Sequence, residues 1–180
     1  MSNPTKTLAF RTLLLATFAL WFGGFTFYVS FVVPVGTEIL GSARRQGFVT
    51  QQVTHWLNLV CFLSLILMLA ESSLAWKRSR RPWREIQLAV VLLIFGLLVG
   101  LVWLHPKMDA MIDLEKKMVR DKAEFYGVHR IYLWLSTFQW FAAWGWLPLT
   151  LRAWFAGQQQ PLKPTTNLND RPKPEFAGSE

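Results

Sequence analysis

Three histidines are the residues of this 180-residue chain whose side chains could bind a cofactor. His55, His105 and His129 each stand where a long apolar segment meets a polar one. Imidazole is the common protein ligand of haem iron, copper and zinc, and helix bundles build such sites from side chains on facing helices. The histidines therefore form one candidate cofactor site, provided that the fold brings them together.

Water and lipid headgroups are nevertheless the favoured partners of these histidines. The sequence contains no C-x-x-C-H or H-E-x-x-H motif and no closely paired histidines, which are typical of haem and zinc sites. It also shows no nucleophile with a neighbouring base, no phosphate-binding loop and no carboxylate pair at membrane depth. We therefore predict no catalytic residue and no cofactor. Haem or copper bound by His55, His105 and His129 is the alternative.

The elements that must position these residues are four long apolar segments. Hydrophobic residues make up 52% of the chain and charged residues 17%, against about 25% charged in an ordinary soluble domain. A helix needs about 20 mostly apolar residues to cross a bilayer. Four segments meet this requirement, at about residues 12–36, 54–75, 86–104 and 129–151. A soluble bundle would need a polar stripe along each helix, for which Leu13-Leu14-Leu15 leaves no room. We predict an all-α integral membrane four-helix bundle within residues 1–156.

Lysine and arginine set the predicted orientation of these spans. Four spans place both termini on one side of the membrane, together with the loop between the second and third spans. That loop has five basic residues from Lys77 to Arg84, and cytoplasmic loops carry an excess of Lys and Arg. We predict that both termini are cytoplasmic and that all three histidines lie at the outer face. Topology and contact with anionic lipid explain the basic run better than binding to nucleic acid.

Two segments outside the predicted spans differ in character. Residues 107–126 place apolar side chains three and four positions apart, between charged residues, which predicts an amphipathic helix outside the membrane. Residues 157–180 contain four prolines and few apolar residues, which predicts a disordered cytoplasmic tail. His105-Pro106 is predicted to end the third span, because proline favours an extended residue before it.

Glycines inside the spans predict where helices approach closely. Gly96 and Gly100 form a G-x-x-x-G motif on the third span, which is typical of helix contacts in membranes. Gly23 and Gly24 give the first span a small face. We interpret these glycines as packing residues within the bundle. A homodimer face at Gly96 and Gly100 is the second interpretation.

Polar residues inside the spans predict hydrogen bonds between helices. Asn58, Ser136 and Gln139 lie within apolar segments, where an unpaired polar group is costly. We expect them to find partners on neighbouring helices. We also hypothesise that His129 points into the bundle and meets His55 or Asn58, because His129 and His55 open their spans at the same depth.

Several short motifs resemble a family of small four-span membrane proteins of unknown function. Its members carry a glycine in the first span, a proline at its end, a glycine before the second span and a histidine that opens the last span. The matching positions are Gly24, Pro34, Gly47 and His129, within the segments WFGGFTF (21–27), VVP (32–34), QGFVT (46–50) and EFYGVH (124–129). On these residues the chain resembles the transmembrane protein 205-like family over about residues 21–154, and departs from it in the charged second loop and the tail. The resemblance implies a four-helix integral membrane protein and no established reaction.

The sequence thus favours a small multi-pass membrane protein without enzymatic activity. It is predicted to act as an accessory subunit of a larger membrane complex or to form a homo-oligomer. Its predicted partner is the lipid bilayer, and nucleic acid is not expected to bind. The alternative is a haem- or metal-binding redox protein that uses the outer-face histidines. A transporter is a third possibility, but no charged residue lies deep in a predicted span, so only an oligomer could form a pathway.

Overall fold

The computed structural model of the chain describes residues 4–75, 81–113, 118–119 and 122–158. Within these ranges the backbone is helical, apart from short turns and two strands of two residues each. The prediction of a helical protein with four long helices is confirmed. The elements in chain order are α1 (Pro4–Phe27), a π-helical turn (Tyr28–Val32), α2 (Val33–Leu40), α3 (Ala43–Ala75), α4 (Arg81–Ala110), β1 (Ile112–Asp113), β2 (Met118–Val119) and α5 (Lys122–Gln158).

The first long helix is a continuous rod that contains a π-helical turn. It runs for 37 residues, from Pro4 to Leu40. In a regular α-helix the ring of Pro34 would collide with the carbonyl oxygen four residues earlier, at Ser30. Ser30 lies inside the wider π-helical turn, which relieves this collision. The rod ends at Gly41, whose φ of +64° is a left-handed conformation that glycine adopts without strain.

Three of the four long helices are long and apolar enough to cross a membrane. They cover Pro4–Leu40, Ala43–Leu74 and Pro82–Ala110. The fourth, α5, has 37 residues, of which five are tryptophan. Because the indole N–H makes tryptophan less apolar than leucine or isoleucine, α5 is distinguished from the others by composition rather than by length.

The predicted amphipathic helix over residues 107–126 is wrong. α4 continues to Ala110, β1 pairs with β2 in antiparallel register, and α5 begins at Lys122. His105-Pro106 does not end the helix as expected, since α4 passes through Pro106. Residues 114–117 and 120–121 of the predicted helix lie outside the described residues. So does the predicted tail, except for residues 157–158 at the end of α5.

A contact with α3 explains why α4 continues beyond Pro106. The carboxylate of Asp109, in the turn after the proline, accepts a hydrogen bond from the side chain of Gln51 on α3. It also lies 3.0 Å from a ring nitrogen of His105, one turn earlier on α4. These two contacts hold the last turn of α4 in place and compensate for the backbone hydrogen bond that proline cannot make.

The long helices share an apolar core to which each contributes. Contacts between α1 and α5 show that these helices run antiparallel, because Phe18 meets Trp146 and Phe22 meets Trp140, with ring centroids 4.9 and 5.8 Å apart. The buried members of this core are Leu14, Phe18, Trp21, Cys61, Leu65, Met68, Val91, Ile94, Leu98, Ala143 and Trp146. A smaller cluster of Leu101, Leu104 and Tyr132 joins α4 to α5.

Candidate functional site

The structure brings His55 and His105 together. His55 lies on α3 and His105 on α4, and their ring centroids are 6.2 Å apart. The contact forms because α3 and α4 run in opposite directions, so that the first half of α3 lies beside the last turns of α4. These two side chains mark one end of the helices, termed here the histidine end.

Hydrogen bonds to α3 and α4 hold His105 in a fixed position. Its Nδ1 lies 3.0 Å from Asp109 Oδ2, and its Nε2 lies 3.3 Å from the backbone carbonyl oxygen of Gln51. The Gln51 side-chain Nε2 donates to Asp109 Oδ1 over 2.7 Å. Asp109 thus contacts α3 through Oδ1 and His105 of its own helix through Oδ2. Sequence analysis missed Asp109 because it lay in the predicted amphipathic helix, although its spacing of four residues from His105 was a usable signal.

The ring of His129 contacts a residue of its own helix. Its ring stacks on Phe125, one turn earlier on α5, with centroids 5.8 Å apart and planes 9° apart. Asn58, a hypothesised partner of His129, donates instead to the hydroxyl of Tyr132 over 3.2 Å. Tyr132 lies three residues after His129, so at this level α5 presents Tyr132 to α3. The partner of the Asn58 amide on α5 is therefore Tyr132, and the hypothesis that His129 meets His55 or Asn58 stays a prediction.

The residues at the histidine end are arranged for hydrogen bonding between helices. No group of three or more His, Cys, Asp or Glu side chains is positioned to bind a metal ion in the part of the chain that the structure describes. His105 would have to exchange a protein oxygen at one of its ring nitrogens for a metal. The haem or copper alternative stays a prediction that other measurements must test.

Two of the three polar residues predicted to link helices do so. Asn58 reaches Tyr132, as described above. Gln139 is buried, and its Nε2 lies 3.5 Å from Cys61 Sγ on α3 and 3.4 Å from the carbonyl oxygen of Ile94 on α4. Ser136 donates to a carbonyl oxygen within α5 itself. Further links between helices join Tyr28 to Thr50 over 3.0 Å, Trp140 to Thr26 over 2.9 Å and Gln87 to Thr150 over 3.0 Å.

The predicted packing glycines divide into two pairs. A Cβ placed at Gly100 would lie 3.2 Å from Leu135 on α5, and one at Gly24 would lie 3.9 Å from Leu57 on α3. Gly23 and Gly96 have no described atom within 4 Å of such a Cβ. Gly24 and Gly100 therefore serve packing inside the chain. Gly96 faces outward, where a second copy of the chain could meet it.

The opposite end of the helices contains charged and aromatic groups from all four long helices and is termed here the arginine end. Trp154 on α5 donates its indole N–H to the carboxylate of Glu71 on α3, which is only 4% exposed. The guanidinium carbon of Arg11 lies over the same indole, 4.6 Å from its centroid. Arg152 lies in the same way over Trp83, at 4.2 Å. Sequence analysis missed Glu71 because this residue lies just after the uncharged run of the second predicted span.

Comparison with known proteins adds no relative. No family model, curated protein or solved structure matches the chain. The resemblance to the transmembrane protein 205-like family therefore stays a prediction from a few short motifs. The functional argument rests on the geometry of the helices themselves.

Proposed function

We propose that the chain is an integral membrane protein whose four long helices form a membrane-embedded bundle with a structural, non-enzymatic role. The observation that carries this proposal is the distribution of side chains, since the helices expose large apolar groups and bury polar ones. A soluble bundle has the opposite arrangement, because its surface faces water. Lipid tails accept an apolar surface, and polar groups in hydrocarbon need partners inside the protein.

Every long helix exposes large apolar side chains, and α3, α4 and α5 also bury polar ones. Large apolar side chains that are half-exposed or more include Leu13, Leu20, Phe31, Trp56, Leu92, Val102, Trp134, Phe138 and Phe141. The buried polar side chains are Gln46, Ser64, Glu71, Ser72, Gln87, Ser136, Gln139 and Thr150. The outer surface thus has the chemistry of a lipid-facing surface over the length of the helices.

Two tryptophans on α4 support a membrane boundary at each end. Trp83 and Trp103 are about 30 Å apart along an α-helix, which matches the thickness of the hydrocarbon core. Each indole carries a cation on its face: Arg152 lies 4.2 Å from the Trp83 centroid, and the Lys107 amine lies 3.3 Å from the Trp103 centroid. Tryptophan with a neighbouring cation is typical of the membrane–water interface.

The same reasoning assigns α5 as the fourth span, despite its lower apolar content. Its outward-facing positions carry Ile131, Trp134, Phe138 and Phe141, all more than half exposed. The inward-facing Gln139 lies against α3 and α4. A polar residue that faces the interior costs little when it is paired, so hydropathy averaged along the helix understates the apolar character of its outer face.

A role in assembly follows from the same surface. Gly96 stands on an outward face of α4 together with Leu92, Leu93 and Val99, which are all exposed. Such a face lets a second helix approach closely in lipid. We therefore infer that the chain is a homo-oligomer or an accessory subunit of a larger membrane complex. The predicted orientation, with both termini cytoplasmic, belongs to this proposal.

Membrane fractionation tests the central claim. The chain is expected to stay in the membrane pellet after an alkaline carbonate wash and to enter solution only with detergent. Release by carbonate alone would contradict membrane insertion. Light scattering of the detergent-solubilised protein then measures its mass. A monomer that also migrates alone in native gels of gently solubilised membranes would contradict the assembly role.

A histidine-ligated cofactor is the second candidate function. The 6.2 Å between the His55 and His105 ring centroids favours it, because two imidazoles that share one metal ion stand at a similar separation. A visible spectrum and metal analysis of the purified protein test it. A Soret band or stoichiometric copper that His105→Ala removes would support this function. A colourless, metal-free protein after expression with haem and copper supplied would contradict it.

A further inference from the structure

A groove between α1 and α5 at the arginine end combines apolar walls with a single cation. It has a volume of about 280 Å³. Residues three and four apart share a face of a helix, and this spacing aligns the lining residues of each helix along the groove. The lining residues are Leu8, Arg11, Thr12 and Leu15 of α1 and Leu151, Trp154 and Phe155 of α5. The groove therefore fits an apolar chain that lies parallel to the helices.

The cation in this groove, Arg11, forms no ion pair with the residues that the structure describes. The Arg11 guanidinium lies over the indole of Trp154, and its Nε is buried without a hydrogen-bond partner among the described residues. The carboxylate of Glu71 accepts the N–H of that same indole, and the structure describes no ion pair between Glu71 and Arg11. A buried donor without an acceptor is costly, so this site calls for an anion that the described residues do not supply.

The position of Arg11 indicates where that anion comes from. Trp154 and Trp83 both carry an arginine on their faces at the same end of the helices. We assigned this level to the membrane–water interface, which is where lipid phosphates lie. Leu15 and Leu151 line the groove on the side nearer the bilayer centre, because the contact of Phe18 with Trp146 continues the same helix pair inward.

We propose that this groove is a binding site for one anionic phospholipid. Its phosphate accepts hydrogen bonds from the Arg11 guanidinium, whose planar fork suits phosphate oxygens. One acyl chain lies along Leu15 and Leu151. An anionic headgroup is favoured over a zwitterionic one because Lys6, on α1 beside the groove, adds positive charge to that of Arg11 and would repel a choline group. The proposal rests on the membrane insertion argued above.

Native mass spectrometry of the full chain in detergent tests this site. The protein is titrated with phosphatidylglycerol and, separately, with phosphatidylcholine of the same acyl chains. One phosphatidylglycerol adduct is expected at concentrations where phosphatidylcholine gives little. Excess inorganic phosphate should not displace the lipid, because the acyl chain contributes to binding. Displacement of the lipid by phosphate would show that the groove binds a free anion rather than a lipid, and would overturn the proposal.

Two variants and a matched control locate the site. Arg11→Gln removes the guanidinium, and the affinity for phosphatidylglycerol should fall at least about tenfold, as expected for the loss of one charge-assisted hydrogen bond. Leu15→Trp fills the groove and should weaken binding while Arg11 is retained. The control is Arg152→Gln, which removes an arginine stacked on a tryptophan at the same end but outside the groove. Its affinity should stay within about twofold of the unmodified chain.

The outcomes separate this proposal from membrane insertion. Equal losses in Arg11→Gln and Arg152→Gln would show general electrostatic attraction and overturn the site. Equal binding of the two lipids by the unmodified chain would do the same, and neither result affects the fractionation test. Circular dichroism checks that each variant is folded. If Arg11→Gln is unfolded, Leu15→Trp and the lipid comparison still decide the question.

Discussion

Gln87 Nε2 donates a hydrogen bond of 3.0 Å to Thr150 Oγ1, and the two side chains are 2% and 0% exposed. Gln87 lies near the start of α4 and Thr150 near the end of α5, so the bond joins the two helices where they meet at the arginine end. No water reaches side chains that are buried to this degree. The side chains of Gln87 and Thr150 therefore depend on each other for this hydrogen bond.

A double-mutant cycle at this pair should show coupling. Gln87→Leu and Thr150→Val are each expected to lower the free energy of unfolding, and the double variant should lose about 0.5–1.5 kcal/mol less than the sum of the two. The measurement is reversible unfolding in mixed micelles. Thr137→Val provides the control, because Thr137 is exposed and donates to its own helix. Its effect should add to that of Gln87→Leu, and additivity in the Gln87–Thr150 cycle would contradict the pairing.

Removal of the carboxylate at the histidine end should destabilise the contact between α3 and α4. Asp109→Ala takes the acceptor from Gln51 and from His105. A cost of about 1–3 kcal/mol is expected, because the Gln51 amide is left without its partner. Glu38→Ala is the control, since Glu38 is an exposed acid on α2. It should change stability by less than about 0.5 kcal/mol, and equal effects of the two variants would show that Asp109 contributes no specific contact.

The two glycines of the G-x-x-x-G motif should respond differently to leucine. Gly100→Leu is expected to lower the thermal stability, because even a Cβ there lies 3.2 Å from Leu135. Gly96→Leu should keep the thermal stability, because no described atom lies within 4 Å of a Cβ at that position. If copies of the chain meet at this face, Gly96→Leu should reduce the oligomer seen by light scattering. If Gly96→Leu leaves the oligomer unchanged, the interface between copies of the chain does not include Gly96.

Reporter fusions test the span count and the orientation together. A fusion after Arg81 is expected to report the cytoplasm, and one after Lys117 the opposite side, because basic loops are retained inside. The reverse pattern would contradict the orientation. If both fusions report the same side, α4 does not cross the membrane, and the four-span arrangement is wrong.

Sequence alone predicted the number and approximate positions of the long helices. Helix formation depends on neighbours in the chain, and an uncharged, mostly apolar segment as long as residues 86–104 indicates a helix. Rules based on neighbouring residues predicted the ends of the helices least well. Pro106 signals a helix end by itself, but α4 continues through it because Asp109 is held by Gln51, which is 58 positions away in the chain.

The partners of the polar residues were decided by tertiary structure. Sequence indicated that Asn58 and Gln139 need partners, because their apolar surroundings are visible in the chain. It did not indicate that Asn58 reaches Tyr132 rather than His129, since a rotation of α5 by less than one turn would exchange them. The buried Glu71 and its contact with Trp154 also depend on the position of α5 against α3.

Gly36 shows that sequence spacing also does not identify the residues at which helices approach most closely. Motif spacing singled out Gly96, which faces outward, whereas a Cβ at Gly36 would overlap the side-chain amide of the buried Gln46. That amide lies 3.4 Å from the hydroxyl of Tyr28 in the π-helical turn, so the close approach serves a polar contact between α3 and the first rod. Spacing along a chain determines which residues share a helix face. Which neighbour that face meets depends on how all the helices pack together, because close packing is a property of their combined surfaces.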